Sequence, residues 1–130
     1  MDLHQSTTIS VIIPAYNEEK TIGTVISDTA EILNGLYVPY EIIVVNDGST
    51  DKTGLVASTH KVTVISNKVN RGKGYSLRRA LQHAQGDIVV TLDSDGEHKP
   101  KEIPDLIAPL HNGVDIVAGS RFLGSQTQVT

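Results

Sequence analysis

Five short runs rich in valine and isoleucine punctuate the chain: Ile9–Ile13, Tyr40–Val45, Val62–Ser66, Asp87–Leu92 and Val114–Ala118. Within EIIVVND and DIVVTLD the apolar residues do not alternate with polar ones. That is the pattern of strands covered on both faces, as in a parallel sheet. Between the runs the period changes to three and four. Ile22, Val25, Ile26, Ala30 and Leu33 fall on one helix face. Leu77, Ala80, Leu81 and Ala84 do the same, as do Ile103, Leu106, Ile107 and Leu110. The stretch from Asp51 to His60 carries a weaker helical pattern with Gly54 inside it. Asn17, with Glu18 and Glu19 behind it, reads as the start of the first helix: a capping side chain, then acids near the positive end of the dipole. Pro100 and Pro104 suit a first turn, where proline has no amide to lose. Pro109 makes the last helix short or irregular.

Strand and helix alternate, and a strand closes the series. This order predicts an α/β fold: a doubly wound, mostly parallel sheet with helices on both faces and right-handed crossovers. In such sheets ligands bind beyond the carboxyl ends of the strands. The polar clusters fall there: PAYNEE after the first strand, NDGSTD after the second, NRGKG after the third, DSDGEH after the fourth and GSR after the fifth. Five separate segments are therefore expected to converge on one edge of one sheet.

Composition narrows the partners. The 130 residues suit one domain, spanning 1–130, with a real core. The formal net charge of −4 speaks against a nucleic-acid binder. It also means that an anionic ligand needs local help from basic side chains, helix N-termini or a bound cation. The chain has no cysteine, which excludes disulfides, zinc–thiolate sites and cysteine nucleophiles and fits a reducing compartment. MDLHQSTT lacks the apolar stretch of a signal peptide. No apolar run approaches the ~20 residues that span a bilayer. A soluble, cytoplasmic chain without a transmembrane segment is expected.

The clusters carry candidate chemistry, each beside a plainer explanation. Asp, Ser and Gly in DSDGEH are turn formers, and a strand must end somewhere. Yet Asp93, Asp95 and Glu97 together can present several oxygens to a hard divalent cation, Mg2+ or Mn2+, with a substrate's phosphates completing the shell. NDGSTDKT is explained in part as an Asp-Gly turn followed by a Ser/Thr helix cap. That leaves Asp47, a carboxylate at the end of a buried strand that could accept hydrogen bonds from a nucleobase or ribose. NRGKG sets Arg71 and Lys73 between glycines just before a helix. It is either a solvated basic loop or a diphosphate site built from basic side chains and a helix N-terminus. It matches neither GxxxxGK[ST] nor GxGxxG. Tyr16 either fills the core edge or flanks a flat base. His98 adjoins the acidic cluster; His4, His60, His83 and His111 read as surface residues.

Taken together, VIIPAYNEE, VVNDGSTDKT, NRGKGYSLRRAL, TLDSDGEHKP and AGSRF resemble the donor-binding half of a family 2 glycosyltransferase, in order and spacing, over nearly all of Ile9 to Phe122. Within that family, DSDGEHKP and AGSRF are most similar to the polyprenyl-phosphate sugar transferases of the dolichol-phosphate mannose synthase type. The resemblance implies the GT-A fold, a Rossmann-like doubly wound sheet. It implies a GDP- or UDP-sugar donor, a divalent metal, direct displacement with inversion, and a polyprenyl phosphate among the acceptors. Peripheral association with the cytoplasmic face of a membrane would follow. By the same resemblance Pro14, Ala15, Tyr16 and Glu18 line the nucleotide pocket and Asp47 binds the base. Arg71 and Lys73 stay diphosphate candidates on the residue reading above, while by the resemblance Asp93 approaches the ribose or the metal shell. Asp95 is the principal metal ligand, with Glu97 where the subgroup often has glutamine, and Arg121 contacts donor or acceptor phosphate. Asp95 and Arg121 would thus bear most directly on catalysis.

Two classes of function remain open: an enzyme, or the donor half of one, that transfers a sugar, and a nucleotide-binding module without turnover. A nucleotidyltransferase on a similar sheet is disfavoured, because its glycine-rich loop would follow the first strand, where PAYNEE stands. Family catalytic domains continue with acceptor-binding elements beyond the GSRF strand. The expectation is therefore a donor-binding N-terminal part of a longer catalytic domain that binds nucleotide-sugar but transfers it poorly by itself.

Overall fold

The computed structural model describes residues 7–94, 100 and 103–104, and the backbone of strands at 114–118, 121–122 and 128–129. Ten elements are placed. The strands are β1 (Ile9–Ala15), β2 (Tyr40–Asp47), β3 (Thr63–Asn67), β4 (Ile88–Thr91), β5 (Val114–Ala118), β6 (Arg121–Phe122) and β7 (Gln128–Val129). The helices are α1 (Ile22–Asn34), α2 (Thr53–Ser58) and α3 (Lys73–Leu81).

The sheet runs β3-β2-β1-β4-β5-β6, with β7 also paired to β5. The pairs β3–β2, β2–β1, β1–β4 and β4–β5 are parallel. The pairs β5–β6 and β5–β7 are antiparallel. The strand order reverses direction at β1, which lies between β2 and β4, so the crevice outside the carboxyl ends of β1 and β4 is the topological switch point.

Both faces of the sheet are covered, as the unbroken apolar runs require. Ile9, Val11, Ile13, Ile42, Val44, Ile88 and Val90 pack with Ile22, Val25, Ile26 and Leu33 of α1 and Ala57 of α2. The alternate positions Ile12, Ile43, Val45, Ile65 and Val89 pack with Ala80, Leu77, Leu81 and Ala84. Within EIIVVND, successive residues thus go to opposite layers, which is the period-2 geometry of a strand read in a doubly covered sheet. Ile103 is fully buried in the α1 layer. Leu106, Ile107 and Leu110 of the last expected helix lie outside the described residues.

Two expectations about helix starts are corrected. Asn17 does not cap α1. The helix begins at Ile22 after Thr21, with no acidic residue in its first turn. Asn17 instead takes a left-handed conformation, φ 53°, which asparagine tolerates better than most residues. The Glu18 carbonyl then accepts the N–H groups of Thr21 and Ile22. Nor do Ser49 and Thr50 cap α2. Asp51 accepts the Thr53 N–H at 2.9 Å ahead of that helix. Gly54, which weakened the helical pattern here, has a packing reason: a Cβ there would meet Asn46 Nδ2 at 2.6 Å. The absence of a side chain lets α2 lie close against β2. Among the described residues no helix is long and apolar enough to cross a membrane.

Candidate functional site

The strand ends deliver polar side chains to the switch point. A cavity of about 240 Å³ opens there, lined by Pro14, Ala15, Tyr16, Glu18, Asp47, Lys73, Asp93 and Ser94. These residues come from the carboxyl ends of β1 and β2 and from the segments that follow β1, β3 and β4, so four of the five expected clusters meet on one wall.

The loops after β1 and β2 hold each other. The Asn17 N–H donates to Ser49 Oγ at 3.0 Å, and the Thr50 N–H donates back to Asn17 Oδ1 at 2.8 Å. The Glu18 N–H donates to Thr53 Oγ1 at 2.8 Å, and the Glu19 N–H to Asp51 at 3.3 Å. Side chains that local pattern assigns to turns and caps therefore satisfy backbone groups of a loop over thirty residues away in sequence. Thr21 Oγ1 extends this clasp by donating to the Ser94 carbonyl after β4.

Asp47 organises the loop after β3. It is 4% exposed. Its Oδ1 accepts hydrogen bonds from Asn67 Nδ2 at 2.9 Å and the Arg71 N–H at 2.7 Å, and its Oδ2 accepts the Gly72 N–H at 2.8 Å. Burial pushes its pKa up, but hydrogen bonds from Asn67, Arg71, Gly72 and Ser76 outweigh it and hold the carboxyl below its ordinary value. Asn67 is itself fixed: its oxygen accepts a 2.8 Å hydrogen bond from Arg79, which also donates to the Ser66 carbonyl. Gly48, next along from Asp47, has φ +71°, and a Cβ there would lie 2.3 Å from Val69 C and 2.4 Å from Asn70 N. Only glycine lets the β2 and β3 loops approach so closely. Asp51, by contrast, is only partly buried. Desolvation raises its pKa, but hydrogen bonds from Thr53 and Glu19 together outweigh that and hold it below its ordinary value.

Lys73 is the first residue of α3. Its Nζ stands 2.7 Å from Asp93 Oδ1, an ion pair across the cavity. This joins the basic loop to the first aspartate of DSD.

Of the residues expected to form the site, Pro14, Ala15, Tyr16, Glu18, Asp47, Lys73 and Asp93 are brought together. Arg71 is not among the cavity-lining residues. Its guanidinium lies over the Tyr75 ring, 5.5 Å from the centroid, and its backbone N–H serves Asp47. Asp95, Glu97 and His98 lie outside the described residues. Arg121 is placed by its backbone, paired with Ala118 across β5 and β6; its side chain lies outside the description. Sequence reading did not single out Ser94 or Asn67. Ser94 sits inside DSDGEH and could have been found by its neighbours. Asn67 ends a strand run, as Asp47 does, and that shared polar strand end is the available signal.

Comparison with known proteins identifies the family and the fold. The family model for glycosyl transferase family 2 matches residues 10–129. A dolichol-phosphate mannosyltransferase from Pyrococcus furiosus is 40% identical over 119 residues, covering 88% of this chain and 33% of its own. A glucosyl-3-phosphoglycerate synthase from Mycobacterium tuberculosis, solved with Mn2+, UDP and glucosyl-3-phosphoglycerate, is 41% identical with a TM-score of 0.69. The match covers 82% of this chain and 40% of that one. A mannosyl-3-phosphoglycerate synthase from Rubrobacter xylanophilus is 28% identical with a TM-score of 0.67, over 79% of this chain and 38% of that one. The chain thus spans about a third of the curated relative's length and about two fifths of these solved chains. The α/β sheet is that of the GT-A glycosyltransferases, and the chain belongs to glycosyl transferase family 2.

Proposed function

We propose that this chain is the donor-binding part of an enzyme that transfers a hexose from a nucleoside diphosphate sugar to a phosphate-bearing acceptor, by direct displacement with inversion. The observation that carries the reading is the convergence of Asp47, Lys73 and Asp93 on one cavity at the switch point. Pro14, Ala15, Tyr16, Glu18 and Asp47 would take the nucleoside. Lys73 and the first turn of α3 would face the diphosphate, supplying local positive charge to an anionic ligand in a chain of net charge −4. Asp93 is a hard oxygen donor on the cavity wall and fits Mg2+ or Mn2+. Among the described residues no group of three His, Cys, Asp or Glu could hold a metal, so Asp95 and Glu97 are proposed as further ligands. Once bound, the cation would stabilise charge on the departing nucleoside diphosphate. Arg121 is proposed to contact acceptor or donor phosphate. An acceptor that attacks through a phosphate oxygen is already an anion and needs no general base, whereas a sugar hydroxyl does.

Polyprenyl phosphate is the first acceptor candidate, supported by the 40% identical dolichol-phosphate mannosyltransferase. It would bring the protein to the cytoplasmic face of a membrane. A phosphoglycerate acceptor is the second, favoured by solved relatives of similar identity. Calorimetry with UDP- and GDP-sugars, with and without Mn2+, identifies the donor. A radiolabelled transfer assay then compares polyprenyl phosphate with 3-phosphoglycerate. Metal-strengthened donor binding is expected. Absence of binding to every nucleotide-sugar would reject the reading.

A further inference from the structure

An arginine outside the cavity lining stands at the head of the network that ends on the loop before α3. We infer that Arg79 is a positioning residue: through the Asn67 amide it orients Asp47, and so sets the backbone that presents Lys73 to the nucleotide. The nucleotide in this statement rests on the function proposed above; the chain of contacts is a property of the fold.

Arg79 lies on α3 three residues after Ser76, so the two are neighbours on one side of the helix. Its Nη1 donates to the Ser66 carbonyl at 2.7 Å and to Asn67 Oδ1 at 2.8 Å. A guanidinium has donors only, so whatever it bonds must be an acceptor. That selects one orientation of the Asn67 amide. Its oxygen faces Arg79, and its NH2 donates to Asp47 Oδ1 at 2.9 Å and to Ser76 Oγ at 3.1 Å. Asn67, Asp47 and Ser76 are all buried. Turned over, the amide would set its NH2 against the guanidinium and its oxygen against the carboxylate, leaving buried groups unsatisfied.

The network therefore runs one way, from a donor-only arginine through an amide to an acceptor-only carboxylate. Its far end is the loop. Asp47 accepts the Arg71 N–H at 2.7 Å and the Gly72 N–H at 2.8 Å. Gly72 has φ 94° and immediately precedes α3, whose first residue is Lys73. Loss of Arg79 removes the donor that holds the Asn67 oxygen, and the amide is then free to turn away from Asp47. Arg78, the adjacent residue, carries the same charge and is exposed, which makes it a control for charge alone.

The test compares wild type with Arg79→Met, Arg79→Lys and Arg78→Met. Amide hydrogen exchange is read at Arg71 and Gly72 and, as a gauge of global stability, at Val11 and Val44 in the core. Affinities for UDP and GDP are then measured with Mg2+. Arg79→Met should speed exchange at Arg71 and Gly72 about three- to tenfold and weaken nucleotide binding by a similar factor, the worth of about one hydrogen bond. Arg79→Lys should restore much of both, because the two bonds leave a single nitrogen, which an ammonium can replace. Arg78→Met should change neither. Adding Arg79→Met to Asn67→Ala should cost no more than Asn67→Ala alone, since the arginine acts through the amide. Acceleration at Val11 and Val44 without acceleration at Arg71 and Gly72 would mark Arg79 as a contributor to stability only and overturn the inference. So would an equal effect from Arg78→Met, full additivity with Asn67→Ala, or faster loop exchange at unchanged nucleotide affinity. The Arg79 comparisons stand without the double variant if that variant does not fold. Failure of wild type to bind UDP or GDP would instead reject the proposed function, and the exchange comparison would still judge Arg79.

Discussion

Asp47 at the end of β2 accepts a 2.8 Å hydrogen bond from the backbone N–H of Gly72, the residue that precedes α3. With the Arg71 N–H and Asn67 on its other oxygen, one buried carboxylate fixes the loop that presents Lys73. Asp47 therefore has a structural duty whatever it does for a nucleobase. Asp47→Asn keeps the volume but removes the charge and can turn an amide N–H toward backbone donors. Hydrogen bonds to a charged group contribute about 1.5–3 kcal/mol. The variant should lose roughly that much stability in urea denaturation at pH 7. A change under about 0.5 kcal/mol, the size of an ordinary surface substitution, would contradict the assigned role.

The same carboxylate makes stability depend on pH. Its folded pKa is depressed, so protons bind the unfolded chain more readily. The stabilisation is present above the unfolded value, about 3.9, and is lost as pH falls below it through the folded pKa. The gap in urea midpoint between wild type and Asp47→Asn should therefore narrow between pH 5 and pH 2.5. A gap that stays constant across that range would show that Asp47 does not titrate in this window.

Gly48 should be intolerant of any side chain. Its φ of +71° is unfavourable for alanine, and the added Cβ would overlap Val69 and Asn70 backbone at 2.3 and 2.4 Å. Backbone, unlike a flexible side chain, cannot yield cheaply. Gly48→Ala should cost at least about 2 kcal/mol, from conformational strain and overpacking together. Thermal denaturation measures it, and an unchanged melting temperature would show that the two loops do not approach as described.

What could be read in the sequence, and what could not, follows from the range of the interactions. The doubly buried strands were legible because burial on both faces removes polar residues from EIIVVND and DIVVTLD, wherever the partners come from. β1 and β2 run further than expected, to Ala15 and Asp47, because backbone pairing continues past the last large apolar side chain. The α1 face was legible from its own spacing. Asn17 was misread because asparagine suits a helix cap and a left-handed turn equally, and its deciding partner, Thr50, lies 33 residues on. The site was legible as a set of strand ends, but not as a network. Nothing local couples Asp47 to Gly72, 25 residues away, or Lys73 to Asp93, 20 residues away. Those contacts exist only once the sheet has brought its carboxyl ends together.

The central claim is that the cavity at the switch point holds a nucleoside diphosphate. Backbone chemical-shift mapping of the 130-residue chain, titrated with UDP or GDP and Mg2+, tests it most directly. The account predicts that the largest shifts fall on Ala15, Tyr16, Asp47, Lys73, Asp93 and Ser94, which line that cavity. Residues at the opposite, amino-terminal edge of the sheet, such as Glu41 and Gln85, should stay unmoved. Shifts concentrated at that amino-terminal edge, or none at millimolar nucleotide, would contradict it.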